Sequence, residues 1–177
     1  QTNSRPSRVR RDRGCAAPCR PGATKELIVE LSSLLAHHAR FRPHATAVVF
    51  GGQRLDYRDF NARVNRLAHV LTGLGVEKSD RVATLLPNTL ELLECYWACA
   101  KIGAVHSVVY GGFSVESLSE RIQDSESKVL ITADGGYMRG KVVDLKLIAD
   151  EALQRAGSVG HVVVVKRTGK PVNMEVG

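Results

Sequence analysis

Two glycine-containing segments carry residues whose types could bind an anionic ligand. The first, Tyr110-Gly111-Gly112, joins a predicted strand to a predicted helix. Its two glycines allow positive φ angles and let a ligand come close to the backbone. The helix that follows offers unpaired N–H groups and a partial positive charge at its first turn. These features favour an anion or a nucleotide, and a plain tight connection between two elements is the alternative.

The second segment, residues 133–141, adds two cations where another predicted strand ends. Arg139 can make planar, bidentate contacts with a phosphate, and Lys141 supplies a flexible point charge. Together they could hold a ligand phosphate, although a solvated basic turn explains the same residues. Neither segment contains the G-x-G-x-x-G pattern of dinucleotide sites or the G-x-x-x-x-G-K-[ST] pattern of P-loops. We therefore expect neither of those two kinds of nucleotide site.

Outside these segments, no residues form a recognisable catalytic or metal-binding set. Ser107 and Ser114 lack a G-x-S-x-G context, and His106 has no acid at a fixed spacing. We interpret His106 as a histidine of the core or of a sheet edge. Tyr96 and Trp97 lie in an apolar helical pattern and are interpreted as packing residues. We accordingly predict no catalytic residue and no metal ligand in this sequence.

Helical and extended patterns alternate along most of the chain. The predicted elements are a helix over 27–42, strands over 45–50 and 54–57 in a hairpin around Gly51-Gly52, a helix over 60–75, a strand over 81–86, a helix over 90–102, a strand over 104–110, a helix over 114–124 capped by Ser114, a strand over 128–133, a helix over 145–156 and a strand over 161–165. This alternation predicts an α/β fold with mostly parallel strands.

The same pattern predicts where the elements are covered. Residues 129–131 and 162–165 lack polar alternation, as expected for strands covered on both faces. The helix over 90–102 is apolar on most sides, so we predict that it is buried. Its Cys95 and Cys99 share a face and are expected to be buried free thiols. Ligands of such sheets bind at the carboxyl ends of strands, where both glycine-containing segments lie.

The net charge of +7 on these 177 residues is concentrated at one end. Residues 1–25 hold seven basic side chains and one acid, which together carry +6. The rest is nearly neutral, which argues against a nucleic-acid partner. We predict a disordered basic tail over residues 1–23. Three origins of this tail compete: a native tail, an organelle-targeting segment, or translated upstream sequence.

No apolar run approaches the ~20 residues of a membrane span, so we expect no membrane partner.

A series of short motifs extends from residue 55 to residue 169. LDYRDF at 55–60, GLGVEKSDRVA at 73–83, LPN at 86–88 and ACAKIGAV at 98–105 resemble AMP-forming acyl-CoA synthetases, which belong to the adenylate-forming superfamily. HSVVYGGFS at 106–114, ITADGGY at 131–137 and VVVVKRTG at 162–169 resemble the acetyl-CoA synthetase (acetate–CoA ligase) branch and its propionate-using relatives. The resemblance covers about residues 27–177.

The resemblance implies a reaction and a place for this chain in it. Acetate and ATP, with Mg²⁺, would form acetyl-AMP and pyrophosphate, and CoA would then displace AMP. Residues 24–177 would be the incomplete N-terminal part of the large AMP-dependent synthetase domain of a cytoplasmic enzyme. The family's Ser/Thr/Gly-rich phosphate loop, ATP-ribose aspartate, acyl pocket and C-terminal catalytic lysine would follow Gly177. The chain alone is therefore expected to be inactive.

The resemblance also assigns contacts with the CoA nucleotide to the two glycine-containing segments. By alignment they fall on Tyr110, Gly111, Gly112, Met138, Arg139, Gly140 and Lys141. Members of the acetate branch usually carry arginine at one or both ends of the second stretch. Here Met138 and Lys141 occupy those ends, and Arg139 lies next to them.

Three other interpretations remain at this stage. Residues 86–88 and 91–97 look more like the medium- and long-chain branch, which leaves propionate or a longer acid as an alternative substrate. A non-catalytic binding module with a basic tail is a second alternative. A remnant without function, such as the product of a pseudogene, is the third.

Overall fold

The computed structural model describes residues 31–174 of the chain. The basic tail predicted over residues 1–23 lies outside this range, as does the start of the first predicted helix. Within the range the elements are α1 (Leu31–Phe41), β1 (Thr46–Phe50), β2 (Gln53–Asp56), α2 (Tyr57–Gly73), β3 (Arg81–Leu85), α3 (Leu90–Ile102), β4 (Val105–Val109), α4 (Val115–Ser125), β5 (Val129–Ala133), β6 (Gly136–Met138), β7 (Lys141–Val143), α5 (Leu145–Leu153) and β8 (His161–Val165).

Four strands form a parallel sheet in the order β4-β3-β5-β8. β3 lies beside both β4 and β5, with Val82 opposite His106 on one side and Val129 on the other. β5 in turn pairs with β8. Helices connect the consecutive parallel strands, and β1 and β2 form a separate antiparallel hairpin. The α/β fold class predicted from the alternation is confirmed.

The helices begin where the sequence places capping residues. The Asp56 carboxylate accepts a hydrogen bond from the Asp59 N–H at 2.8 Å and so caps α2. The predicted cap Ser114 accepts from the Ser117 N–H at 3.3 Å at the start of α4. α3 ends at Gly103, whose φ of 72° is the left-handed conformation that favours glycine. Local side-chain chemistry therefore sets these boundaries.

The predicted burial holds for β5 but not for β8. All five residues of β5 are buried, because the strand lies between β3 and β8. Residues 162–165 of β8 are only half-buried. Among the described residues β8 has a partner on one side alone, so it is an edge strand of this sheet. The absence of polar alternation was therefore not sufficient evidence of full cover.

Helix α3 is buried along one face only, which corrects the prediction for the whole helix. Leu93 and Tyr96 are exposed, so the prediction that Tyr96 is a packing residue is wrong. Trp97 packs against the core, as predicted.

Glu94, on the opposite face of α3, is buried, and its Oε1 lies 2.5 Å from Nε of Arg63 on α2. Burial raises the pKa of Glu94, and the neighbouring Arg63 opposes that shift. An ion pair thus joins α2 and α3 at the margin of the core.

Cys95 and Cys99 are buried and free, as predicted. Burial raises the pKa of Cys99 to about 12, and the pKa of Cys95 is raised further by burial and by the neighbouring Cys99. Both groups therefore remain thiols at neutral pH and act as small apolar side chains.

Between residues 31 and 174, no helix combines the length and the hydropathy that crossing a bilayer requires.

Truncating the centre of β5 should cost far more stability than truncating the edge of the sheet. Leu130 is fully buried, so Leu130→Ala should lower the free energy of unfolding by about 2–5 kcal/mol. Val105 on β4 is 51% exposed, and Val105→Ala should cost less than about 1 kcal/mol. Urea titration of the purified chain measures both values. Equal losses would contradict the central position of β5.

Candidate ligand-binding site

One cleft collects residues from the carboxyl ends of all four parallel strands. Residues 86–88 follow β3, Tyr110-Gly111 follows β4, residues 136–139 follow β5, and Arg167 follows β8. The cleft encloses about 430 Å³. Its remaining lining residues are Phe50 and Leu145. Parallel strands direct their carboxyl ends to the same edge of a sheet, and that edge is where ligands bind in such folds.

The structure brings the two glycine-containing segments together at this cleft. Tyr110, Gly111, Met138 and Arg139 line it. Gly112 lies behind the lining: a Cβ added there would be 2.5 Å from Tyr110 Cε1 and 3.3 Å from Met138 Cε. The two segments are therefore in contact through Gly112 and Met138. Only a residue without a side chain fits at position 112 unless its neighbours move.

The second segment is a hairpin rather than the loop predicted over residues 133–141. β6 and β7 pair antiparallel, with Met138 opposite Lys141. The two residues between them, Arg139 and Gly140, have φ angles of 49° and 76°. Positive φ at both central positions defines the type I′ turn, whose twist matches that of paired strands. Arg139 consequently lies at the tip of this turn, with Gly140 and Lys141 outside the cleft lining.

Asp134 ties the end of β5 to the segment after β8. Its carboxylate accepts hydrogen bonds from the backbone N–H groups of Gly135 at 2.7 Å, Arg167 at 2.8 Å, Thr168 at 2.9 Å and Gly169 at 2.7 Å. Although burial by itself raises the pKa of this carboxyl, these four donors lower it to about 2. Asp134 is therefore ionised at neutral pH, and backbone dipoles rather than cations satisfy its charge.

Arg167 was not singled out from the sequence, yet it lies in the cleft. Its guanidinium carbon is 5.8 Å from the ring centre of Tyr137 and 6.0 Å from that of Phe50. In the described part of the chain, none of Arg139, Lys141 and Arg167 forms an ion pair. Three unpaired cations in and beside one cleft favour an anionic ligand. The sequence signal that could have identified Arg167 is its position just after an apolar strand, which is the same signal that marked the two glycine-containing segments.

His106 lies on β4, at the edge of the sheet as the structure describes it, in agreement with its interpretation as a core or edge residue. Its Nε2 is 3.0 Å from Oγ1 of Thr84, and burial lowers the pKa of its imidazole. It borders a second, apolar groove of about 450 Å³ between β1, α3 and β4, whose lining includes Leu93 and Val108.

Within residues 31–174, no three His, Cys, Asp or Glu side chains lie together as a metal site would require.

An α/β domain with a cation-bearing cleft at its strand ends is a suitable binder of nucleotides and other anions. Residues 35–176 match the family model described as AMP-binding enzyme. Since the match covers most of the chain, the protein belongs to the AMP-binding enzyme family. The resemblance drawn from the short motifs is thereby confirmed.

Curated relatives place the chain near one branch of this family. It is 46% identical to acetyl-coenzyme A synthetase of Nostoc linckia over 151 residues, which are 82% of this chain and 45% of the relative. It is 52% identical to acetyl-coenzyme A synthetase of Streptomyces coelicolor over 118 residues, 67% of this chain and 18% of the relative. For the enzyme of the same name from Rubrobacter xylanophilus the identity is 53% over 123 residues, 70% and 19% of the two chains. The chain thus spans between 18% and 45% of the length of these relatives.

Replacing Asp134 should loosen the cleft and remove one source of acid sensitivity. In Asp134→Asn an amide N–H₂ would face backbone N–H groups, at a cost of about 1–3 kcal/mol for each buried group left unpaired. The folded-state pKa of about 2 lies below the ordinary 3.8, so the stabilisation by this carboxylate is complete above pH 3.8 and disappears as the pH falls through about 2. Urea unfolding between pH 7 and pH 2 should show this loss in the parent chain and a smaller one in the variant.

The matched control for this experiment is Asp124→Asn. Asp124 is exposed on α4, so its replacement should leave both the stability at pH 7 and its acid dependence nearly unchanged. If Asp134→Asn behaves in the same way as this control, the carboxylate does not hold the two segments together.

Proposed function

We propose that this chain is the N-terminal part of an AMP-forming acetate–CoA ligase and that its cleft binds the nucleotide of CoA. The observation that carries the proposal is the meeting of both glycine-containing segments in one cleft whose cations lack carboxylate partners among the described residues. The names of the relatives support acetate as the acid. CoA carries phosphate groups, which such a cleft would attract.

The reaction of such a ligase has two steps, with acetate, ATP with Mg²⁺, and CoA as substrates. In the first, a carboxylate oxygen of acetate attacks the α-phosphorus of ATP, and pyrophosphate leaves with acetyl-AMP as the product. In the second, the CoA sulfur attacks the acetyl carbon, and AMP leaves as the thiol proton is released. The proposed share of this chain is to bind and orient CoA for the second step.

Each residue assigned to CoA would contribute in a different way. Gly111 lies in the cleft lining and has no side chain to stand between a ligand and the backbone after β4, and Gly112 lets the side chains of Tyr110 and Met138 lie close to the backbone. Tyr110 offers an exposed aromatic ring at the cleft. Arg139, held at the tip of the type I′ turn that Gly140 permits, and the exposed Lys141 beside it would attract phosphate oxygens. Met138 contributes an apolar thioether to the lining of the cleft.

We further propose that residues 24–177 are completed by additional chain into the full AMP-dependent synthetase domain, and that the enzyme works in the cytoplasm. The relatives are more than twice as long as the part matched here, which supports the first point. The buried free thiols Cys95 and Cys99 suit a reducing compartment, which supports the second.

Neutralising the hairpin cations should weaken CoA binding without disturbing the turn. Arg139→Asn removes the charge but retains a residue that tolerates positive φ, and Lys141→Gln removes the second charge. Each variant should bind CoA about five- to tenfold more weakly, which corresponds to about 1–1.4 kcal/mol, the size of one lost hydrogen bond. Isothermal titration of the purified chain measures these affinities. Arg66→Gln, an exposed site on α2, is the control and should bind as the parent chain does.

If both hairpin variants bind CoA as tightly as the parent chain, the assignment of the hairpin to CoA is wrong.

The chain by itself should not activate acetate. Mixed with acetate, ATP and Mg²⁺, the purified chain should release no more pyrophosphate than a sample without protein, as a coupled pyrophosphate assay would measure. The proposed reason is that the ATP phosphate loop and the catalytic lysine belong to the completing part. Steady release of pyrophosphate above that background would contradict this part of the proposal.

A further inference from the structure

Arg167 is a cleft residue that lies within the motif at 162–169 but is not among the residues assigned to CoA. It follows β8 by two positions and lines the same cleft as Arg139 of the β6–β7 hairpin. It is exposed, and it has no carboxylate partner among the described residues.

The backbone of Arg167 is anchored independently of its side chain. Its N–H donates to Asp134 Oδ1 at 2.8 Å, and the Asp134 N–H donates to the Val165 carbonyl at 3.0 Å. These two bonds fix the segment after β8 against the end of β5. Any residue except proline at position 167 could make the first of them, so the fold does not require an arginine there.

The side chain of Arg167 contacts aromatic rings but uses none of its hydrogen-bond donors. The rings of Tyr137 and Phe50 lie at 5.8 Å and 6.0 Å from the guanidinium carbon, near the outer limit of a cation–π contact. Its five N–H donors make no hydrogen bond to a described residue. A guanidinium held by ring faces keeps its in-plane donors available for a bidentate contact with a phosphate.

The acid bonded to the Arg167 backbone does not neutralise this cation. Asp134 lies next to the Arg167 backbone, but its two carboxylate oxygens accept from four backbone N–H groups, and none of its hydrogen bonds involves the guanidinium. The positive charge of Arg167 therefore remains available to a ligand. Met138, between Arg139 and the glycine segment, is uncharged, so within the lining the cations are Arg139 on the hairpin and Arg167 on the β8 side.

We propose that Arg167 binds a phosphate group of the cleft ligand through a bidentate contact of its guanidinium. This proposal rests on the proposed function for the identity of the ligand as CoA. It assigns a role to a residue outside the two glycine-containing segments. The two arginines would hold the anionic ligand from different elements, one on a type I′ turn and one on the segment anchored by Asp134.

The test compares the CoA affinities of the parent chain, Arg167→Gln, Arg167→Lys and Lys166→Gln by isothermal titration. Lys166 is the adjacent exposed cation that does not line the cleft, so it is the matched control for a general charge effect. We expect Arg167→Gln to lower the affinity for CoA about tenfold. Arg167→Lys should lower it less, because lysine keeps the positive charge but cannot make the bidentate contact of a guanidinium. Lys166→Gln should change the affinity by less than about twofold. Urea unfolding should show that all four proteins are equally stable.

Two further ligands separate a phosphate contact from a loss of shape. Dephospho-CoA lacks the 3′-phosphate, so equal affinity of Arg167→Gln and the parent chain for it would assign the 3′-phosphate to Arg167. A tenfold loss that persists with dephospho-CoA would assign the diphosphate instead. Adenosine carries no phosphate, and an equal loss with adenosine would overturn the proposal, because Arg167 would then act through the shape of the cleft.

The outcomes also distinguish this proposal from the proposed function. If the parent chain binds CoA and Arg167→Gln binds it equally well, Arg167 has no phosphate contact and the proposed function stands. If the parent chain does not bind CoA but binds inorganic pyrophosphate with an affinity that falls in Arg167→Gln, the phosphate contact stands and the assignment of the cleft to CoA fails. Binding of neither ligand would overturn both.

Discussion

The parallel alignment of β3, β4, β5 and β8 is the constraint on which the rest of the structure depends. Because the four strands run in the same direction, their carboxyl ends meet at one edge, and each contributes a segment to the same cleft. The helices between consecutive strands return the chain to the opposite edge each time. The core formed by the buried β5 and the inner faces of the helices holds this edge in place.

A buried acid is bonded to the backbone of a cleft residue, yet the cations of the cleft remain free to bind a ligand. An ionised carboxylate beside arginines would ordinarily form ion pairs and cancel the positive potential. Asp134 does not, because four backbone N–H groups satisfy its charge and keep its pKa near 2. The acid thereby acts as a structural anchor for the segment carrying Arg167. This division of roles leaves the arginines of the lining without carboxylate partners among the described residues.

The regular elements could be predicted from the sequence because their signals are local. Apolar periodicity and the predicted cap Ser114 identify helices and strands within a few residues of their observed ends, whereas the capping roles of Asp56 and Gly103 came from the structure. The β6–β7 hairpin could not be recognised so easily, since Arg-Gly at its turn is not the Asn-Gly or Asp-Gly pair that usually marks a type I′ turn. The exposure of Tyr96 and of β8 was also missed, because apolar composition does not say which face a neighbour covers.

By itself the sequence determined the α/β class, the order of the elements, the family and the two segments rich in glycine and basic residues. These follow from residue types and spacings within short stretches of chain. Only the tertiary structure decided that Gly112 lies against Met138, that Asp134 holds the segment at 167–169, and that Arg167 shares a cleft with Arg139. Residues 134 and 167 are brought together because β5 and β8 are neighbours in the sheet. That neighbourhood is set by how the sheet assembles, and no local spacing in the sequence encodes it.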